Sequence, residues 1–158
     1  MHALETLDID VSKCEKVAWY IVKRLVTHSI PIEKLTLRGI QNYRLGKHFF
    51  ETMKLPFLKD FGVDPLYFPD QQKYIKRINV LSLLSTHKQL TRVVLYVVDH
   101  SHVMINDEWL ASVVHKYIVK QKILNEGDYD VTIKGASRDG DQNIPYTVPL
   151  RAIIISKC

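Results

Sequence analysis

Cysteine and glycine are both scarce in this chain of 158 residues. The two cysteines, Cys14 and Cys158, match neither a disulfide framework nor a paired zinc motif. The six glycines occur singly and form no phosphate-binding loop. These absences argue against a disulfide-stabilised secreted domain and against a nucleotide hydrolase, and they predict a reducing, intracellular environment.

Long apolar runs are also missing. No segment approaches the roughly 18 apolar residues that a membrane span requires, and the first residues lack the basic-then-apolar order of a signal peptide. No internal repeat or low-complexity tract is evident. Because 46% of the residues are apolar, the chain can bury a core, so the sequence predicts one soluble domain that does not contact a membrane.

The charge balance is mildly basic. Lysine and arginine number 22 against 17 acidic residues, which gives a net charge of +5 and a pI of about 9.1. Such an excess suits a phosphate-bearing partner, but an ordinary basic domain has the same balance. Both interpretations stay open at this point.

The first 33 residues predict a helical extension. Ser12 and Glu15 have the spacing of a capping box, and apolar residues then recur at helical intervals, which predicts an amphipathic helix over residues 12 to 28. Much of its remaining surface is basic and is a candidate nucleic-acid contact, although a basic helix face is more often only solvated. The basic residues are Lys13, Lys16, Lys23 and Arg24.

The middle of the chain predicts alternating elements. Residues 35 to 40 alternate as a first strand, 42 to 61 form a helix interrupted by Pro56, 63 to 68 form a weak strand, and 75 to 84 form a buried parallel strand. Thr86 and Gln89 then repeat the capping-box spacing before a helix up to residue 98, although the β-branched residues of 92 to 98 also allow a strand.

The last third predicts a strand over 102 to 105, a helix capped by Asn106 or Asp107, a loop over 134 to 145 and a strand-like tail over 146 to 156. The tail could start a second repeat, pair with the sheet or form an ordered end. We expect it at the edge of the sheet.

Two segments resemble the end of a BRCT domain. They are His-Val-Met-Ile-Asn-Asp-Glu-Trp-Leu-Ala-Ser-Val-Val at 102 to 114 and Ile-Leu-Asn-Glu-Gly-Asp-Tyr-Asp-Val at 123 to 131, where a strand leads into a tryptophan-bearing last helix and then a leucine-acidic-tyrosine stretch. The resemblance covers residues 34 to 131, leaves 132 to 158 as linker and tail, and is closest to a first repeat of tandem modules. It implies an α/β fold with a small, mostly parallel four-stranded sheet flanked by helices, plus the amino-terminal helix. It also requires a helix at 90 to 98.

The family implies a non-enzymatic scaffold for protein–protein interaction in the nucleus, in the DNA damage response, replication or checkpoint signalling, without a cofactor. Trp109 and Tyr129 are then expected in the core. Many tandem modules read phosphoserine through a hydroxyl residue and glycine after the first strand and a lysine on the second helix. Here the hydroxyl position holds Arg38 and the lysine position holds Val93. The corresponding phosphate- or partner-binding residues are Thr36, Arg38, Gly39, Lys88, Thr91 and Arg92.

An alternative function is DNA or RNA binding. It would use the basic helix together with Lys73, Lys76 and Arg77, which flank Tyr74 on a predicted edge. Catalysis has less support, because His100 and His102 could share a face only on a strand and no third metal ligand is apparent. We therefore predict neither a catalytic residue nor a metal site.

Overall fold

The computed structural model describes residues 6–10, 16–40, 54–65, 78–98, 106–138 and 148–158. Within these ranges the chain forms six strands, three α-helices and one 3-10 helix. In chain order they are β1 (Thr6–Asp10), α1 (Lys16–Thr27), β2 (Lys34–Ile40), β3 (Asp60–Pro65), the 3-10 helix Ile78–Ser82, α2 (Leu83–Thr86), β4 (Arg92–Val98), α3 (Asp107–Lys120), β5 (Tyr129–Arg138) and β6 (Val148–Lys157).

All six strands belong to one sheet with the order β1-β2-β3-β4-β6-β5. The first four are neighbours in chain order and run parallel to one another. Strand β6 is antiparallel to β4, and β5 is antiparallel to β6 and completes the sheet. The sheet therefore includes strands from each of the three predicted segments, 1 to 33, 34 to 131 and 132 to 158.

The hydrophobic core lies on one face of this sheet. Two apolar rows cross the strands on that face, and the buried side chains of α1, α2 and α3 belong to the same cluster as the rows. The described helices therefore cover one face, and none of them packs on the other. The rows are Leu7, Leu35, Phe61, Val93, Ile155 and Val131, followed by Ile9, Leu37, Val63, Leu95, Ile153 and Ile133.

A short sequence pattern recurs at each parallel strand. An apolar residue, two variable residues, an apolar residue, one variable residue and a third apolar residue occur at 32–37, 58–63 and 90–95, and the sequence of β1 has the same pattern at 4–9. The middle apolar positions, Leu7, Leu35, Phe61 and Val93, are 28, 26 and 32 residues apart. The pattern therefore recurs at unequal spacings and places equivalent apolar residues side by side on four neighbouring parallel strands. The expectation of no internal repeat overlooked this short recurring pattern.

Backbone hydrogen bonds repeat with the pattern. The carbonyl of Glu33 accepts from the N–H groups of Lys59 and Asp60 at 2.7 and 3.0 Å, and one unit later the carbonyl of Lys59 accepts from Thr91 and Arg92 at 2.9 and 3.1 Å. These residues hold equivalent positions in successive units. The junctions β2–β3 and β3–β4 are therefore built in the same way, which is what a repeat of one structural unit requires.

The α/β class is confirmed, but the predicted four-stranded, mostly parallel sheet is wrong, because the sheet has six strands and is mixed. The predicted helix up to residue 98 is strand β4, in which Val93 and Val94 are buried on opposite faces. A strand buried on both faces reads as a continuous apolar run, which helical spacing also fits. The helix that the BRCT resemblance requires is therefore not at 92 to 98, and the family assignment stays a prediction.

Several boundaries also differ from the prediction. The predicted strand at 75 to 84 is helical from Ile78 to Thr86, and residues 134 to 138 of the predicted loop belong to β5. The predicted tail strand is β6, which lies inside the sheet rather than at its edge because β5 pairs with its other side. Residues 54 to 59 are not helical, while residues 41 to 53, 66 to 77 and 99 to 105 lie outside the described residues.

Helix α3 begins where the sequence predicts it. The side chain of Asn106 accepts a hydrogen bond from the N–H of Glu108 at 2.8 Å, which is the usual geometry of an amino-terminal cap. Trp109 is nevertheless 40% exposed, so its predicted core position is wrong. The buried stripe of α3 begins one residue later, about 100° around the helix, with Leu110, Val114 and Ile118. Tyr129 is 7% exposed and belongs to the core, as predicted.

Candidate functional site

The face of the sheet that carries no described helix is the candidate binding surface, and we call it the open face. Its residues alternate along each strand with those of the core rows. The register places them in three rows that cross the sheet. The rows are Lys34, Asp60, Arg92, Ser156 and Asp130, then Asp8, Thr36, Gly62, Val94, Ile154 and Thr132, and then Asp10, Arg38 and Asp64 on one side of the sheet with Tyr96, Ala152 and Lys134 on the other.

Ion pairs between neighbouring strands balance much of the charge on the open face. Arg38 of β2 pairs with Asp8 of β1, and the Nε of Arg92 of β4 lies 3.8 Å from a carboxylate oxygen of Asp60 of β3. These side chains are partly exposed, so the pairs contribute little to stability. Their main effect is on the surface potential, because the carboxylate beside each arginine offsets its positive charge.

Small and apolar residues occupy the centre of the open face. Gly62 lies between Thr36 and Val94 in the middle row, and a Cβ atom on Gly62 would be 3.2 Å from the Thr36 hydroxyl oxygen. Val94 and Ala152 are only 5% and 6% exposed, and Gly62 is also buried, so the accessible side chains of the open face lie around its centre. A strip formed by Thr36, Gly62, Val94 and Ile154 therefore crosses four adjacent strands without a charged side chain.

The structure divides the predicted phosphate-binding set. Thr36, Arg38 and Arg92 are on the open face, and both arginines have acidic partners there. Lys88 is exposed in the turn before β4, and the hydroxyl of Thr91 donates to the carbonyl of Lys59 at 3.1 Å, where it holds the start of the strand. Gly39 is a backbone member of β2. The six residues therefore do not form one cationic pocket.

The described residues among those predicted to bind nucleic acid are on the other side of the sheet. Lys16, Lys23 and Arg24 are exposed on α1, which packs its buried residues against the core face of the sheet. The predicted partners of this helix, Lys73, Lys76 and Arg77, and the first basic residue, Lys13, lie outside the described residues. The open face and the surface of α1 are thus two separate candidate sites.

One histidine–tyrosine contact joins α3 to β5. The hydroxyl of Tyr129 is hydrogen-bonded to Nδ1 of His115, whose Nε2 lies 3.8 Å from a carboxylate oxygen of Glu126. Burial, and to a lesser extent the charge of Glu126, raise the pKa of Tyr129. We interpret this contact as structural, since it holds α3 against β5 of the sheet. In the described ranges, no group of three histidine, cysteine or acidic side chains could hold a metal ion.

Comparisons with known proteins leave the function open. No protein-family model matches the chain, and no curated protein does. One solved structure, the precorrin-6y C5,15-methyltransferase of Geobacter metallireducens GS-15, is 9% identical over 99% of this chain and 82% of its own, with a TM-score of 0.28. A score of this size carries no argument about fold or activity. Among the described helices, none is long and apolar enough to cross a membrane.

Sequence reasoning missed most of the open face, including Asp8, Lys34, Asp60 and Tyr96. The available signal was the recurring pattern of three apolar positions, because the variable residues that flank the middle apolar position must point to the opposite face of a strand. Aligning the four copies of the pattern places Thr6 and Asp8, Lys34 and Thr36, Asp60 and Gly62, and Arg92 and Val94 on the open face.

Proposed function

We propose that this protein is a non-catalytic protein-binding module and that the open face contacts its partner. The observation that carries the proposal is the repeated strand unit, stacked side by side with every described helix on one face. Stacked units of this kind form continuous binding surfaces to which each unit contributes a few variable side chains. The proposal agrees with the interaction class that the BRCT resemblance implies.

The dimensions of the open face fit a modest protein interface. Three strand spacings across β1 to β4 at a height of about 20 Å, and two more across the ten-residue strands β6 and β5 at a height of about 33 Å, give an area of about 600 Å². This area is below the roughly 800 Å² that each partner contributes to a standard interface. The open face alone therefore suits the smaller, transient class of complexes.

The chemistry of the open face favours a protein surface of mixed polarity over a polyanion. A phosphorylated segment would have to compete with Asp8 for Arg38 and with Asp60 for Arg92. The partly exposed side chains of Thr36 and Tyr96 can instead contact an apolar or amphipathic side chain of the partner. Tyrosine and arginine are enriched among the residues that dominate binding energy at interfaces.

Site-specific photo-crosslinking tests this proposal. A photoreactive phenylalanine analogue is placed at Thr36 or Tyr96 of the open face, and at Ser112 or Lys116, which are on the exposed side of α3. The four variants are irradiated in an extract of cells that express the chain, after nuclease treatment. We expect a discrete protein adduct at both open-face positions and not at the α3 positions. Equal adducts on both surfaces, or adducts on α3 alone, would contradict the proposal.

The cellular context is a separate matter. Nuclear location and a role in the DNA damage response rest on the BRCT resemblance alone and stay predictions. The protein that crosslinks to the open face identifies that context directly, because its known compartment and process become those of the complex.

A further inference from the structure

The outward surface of α1 differs in charge from the open face. The helix sequence, Lys-Val-Ala-Trp-Tyr-Ile-Val-Lys-Arg-Leu-Val-Thr, contains three basic residues and no acidic one. Lys16, Lys23 and Arg24 are exposed, and the described ion pairs of the chain all involve other residues. The positive charge of α1 is therefore not balanced by neighbouring carboxylates in the part of the chain that the structure describes.

Neutral groups hold Arg24 in place. Its Nε donates to the hydroxyl of Tyr20 at 3.1 Å, its guanidinium lies 5.4 Å from the centre of the Tyr20 ring, and Nη1 lies 3.3 Å from Nε2 of His28. These contacts orient the guanidinium without neutralising it. Since residues four apart are neighbours on a helix, Tyr20, Arg24 and His28 form one stripe along the exposed side of α1.

A groove runs beside this stripe. It has a volume of about 350 Å³, and its described lining residues are Trp19, Tyr20, Val22, Lys23, Val26 and Thr27. The groove is within the size range of small-ligand sites, and it combines aromatic and aliphatic walls with one lysine at the rim. Tyr20 is 59% exposed and presents an aromatic ring at the edge of the groove.

We infer that the outward surface of α1 binds single-stranded nucleic acid. Lys16, Lys23 and Arg24 contact phosphate groups of the backbone, and an unpaired base enters the groove and stacks on the exposed ring of Tyr20. Positively charged tracks with interspersed aromatic rings are the common means of binding single strands, because every base has a face that can stack. This inference is independent of the proposed protein-binding role of the open face.

The groove is what distinguishes a single strand from other anionic partners. The bases of a duplex are stacked and paired inside the helix, so a duplex uses the three cations but not the groove. An acidic peptide without aromatic side chains matches the charge but has no flat group to stack on Tyr20. A single strand supplies both the phosphates and the unpaired bases that this surface can contact.

Fluorescence anisotropy with the full-length chain tests the inference. The probes are a labelled 12-nucleotide single-stranded RNA, the matching single-stranded DNA, the matching DNA duplex and polyglutamate of similar charge, at 50 and 200 mM salt. With three phosphate contacts, affinity for a single strand should fall about 18-fold between the two salt concentrations. Binding of either single strand in preference to duplex and polyglutamate supports the inference. The tighter binder of the two shows whether the natural ligand is RNA or DNA.

Matched variants assign the binding to α1. Lys23→Ala with Arg24→Ala should weaken single-strand binding at least tenfold and reduce the salt dependence, and Tyr20→Ala should weaken it about tenfold at both salt concentrations. The control is Lys116→Ala with Lys120→Ala, which removes the same charge from the exposed side of α3 and should change the affinity less than twofold. Equal losses in the two double variants, equal binding of polyglutamate or duplex, or no binding at 50 mM salt would overturn the inference.

Discussion

The backbone N–H of Thr91 donates to the carbonyl oxygen of Lys59 at 2.9 Å, one unit after Lys59 itself donates to Glu33 at 2.7 Å. The two bonds connect equivalent residues at the start of successive parallel strands. They show that the starts of β2, β3 and β4 are joined by the same backbone hydrogen bonds. The carbonyl of Thr91, which is equivalent to those of Glu33 and Lys59, accepts from the N–H of Lys157 at 2.8 Å. The antiparallel strand β6 therefore bonds to the same position at the start of β4.

The core rows predict that removing a core side chain costs less stability on the edge strand β1 than on β2. Leu35 is fully buried, and Leu7 occupies the same row on the edge strand β1, where it is only half-buried. We expect Leu35→Ala to lower the free energy of unfolding by about 2–5 kcal/mol and Leu7→Ala by about 1 kcal/mol, because an exposed site leaves a smaller cavity. Urea unfolding of both variants measures the difference. Equal losses would mean that β1 is as deeply buried as β2.

Helix α3 offers a test of which residue its packing uses. Trp109 is partly exposed, whereas its neighbour Leu110 is buried. Leu110→Ala should cost about 2–5 kcal/mol of stability, and Trp109→Ala should cost less than about 1.5 kcal/mol despite the larger side chain removed. Thermal and urea unfolding provide both values. A larger loss of stability for Trp109→Ala would mean that Trp109 packs in the core.

The contact between Tyr129 and His115 predicts a pH-dependent effect. Tyr129→Phe removes one hydrogen bond and should cost about 1 kcal/mol between pH 7 and 9. The folded state raises the pKa of Tyr129 through burial and the charge of Glu126, so ionisation of this phenol favours the unfolded state once the pH exceeds about 10.

The difference in stability between the two proteins should therefore narrow above pH 10, because only the wild-type protein has this phenol to ionise. Urea unfolding at pH 8 and pH 11 measures it, and the comparison between variants cancels the titration of the other groups. A difference that widens at pH 11 would contradict the direction of the pKa shift.

The ion pair between Arg38 and Asp8 should contribute little to stability. Both side chains are about half-exposed, and exposed pairs are typically worth about 0.2–1 kcal/mol. A double-mutant cycle with Asp8→Ala, Arg38→Ala and the double variant measures the coupling energy at low and high salt. We expect a value in this range that decreases with salt. A coupling above about 2 kcal/mol would show that the pair has a structural role beyond its effect on surface charge.

The sequence predicts a helix or strand correctly where its residue pattern fits only one type of secondary structure. The cap at Asn106, the alternation of β2 and the helical spacing of α1 all identify elements that the structure contains. The apolar residues of β4 fit both a helical stripe and a strand buried on both faces, so the sequence predicts a helix there. Gly135 and Ser137 are typical turn residues, so the sequence predicts a loop where the second half of β5 lies.

The repeat was missed for physical reasons as well. The units differ in length, and Phe61, Val63 and Val93 replace leucine at core positions where size and polarity matter more than identity. Three predicted site residues, Thr36, Arg38 and Arg92, do lie on the open face. Their ion pairs could not be predicted, because Asp8 and Asp60 are brought beside the arginines by strand order and register, which the sequence pattern did not give.

The dissociation constant of the crosslinked partner tests the proposed protein-binding function most directly. It is measured by calorimetry for the wild-type chain, for Tyr96→Ala on the open face, and for Lys116→Ala on the exposed side of α3. The open-face proposal predicts at least a tenfold weaker complex for Tyr96→Ala and a change of less than twofold for Lys116→Ala. A complex that is unchanged by Tyr96→Ala and weakened by Lys116→Ala would place the binding surface on the helices and contradict the proposal.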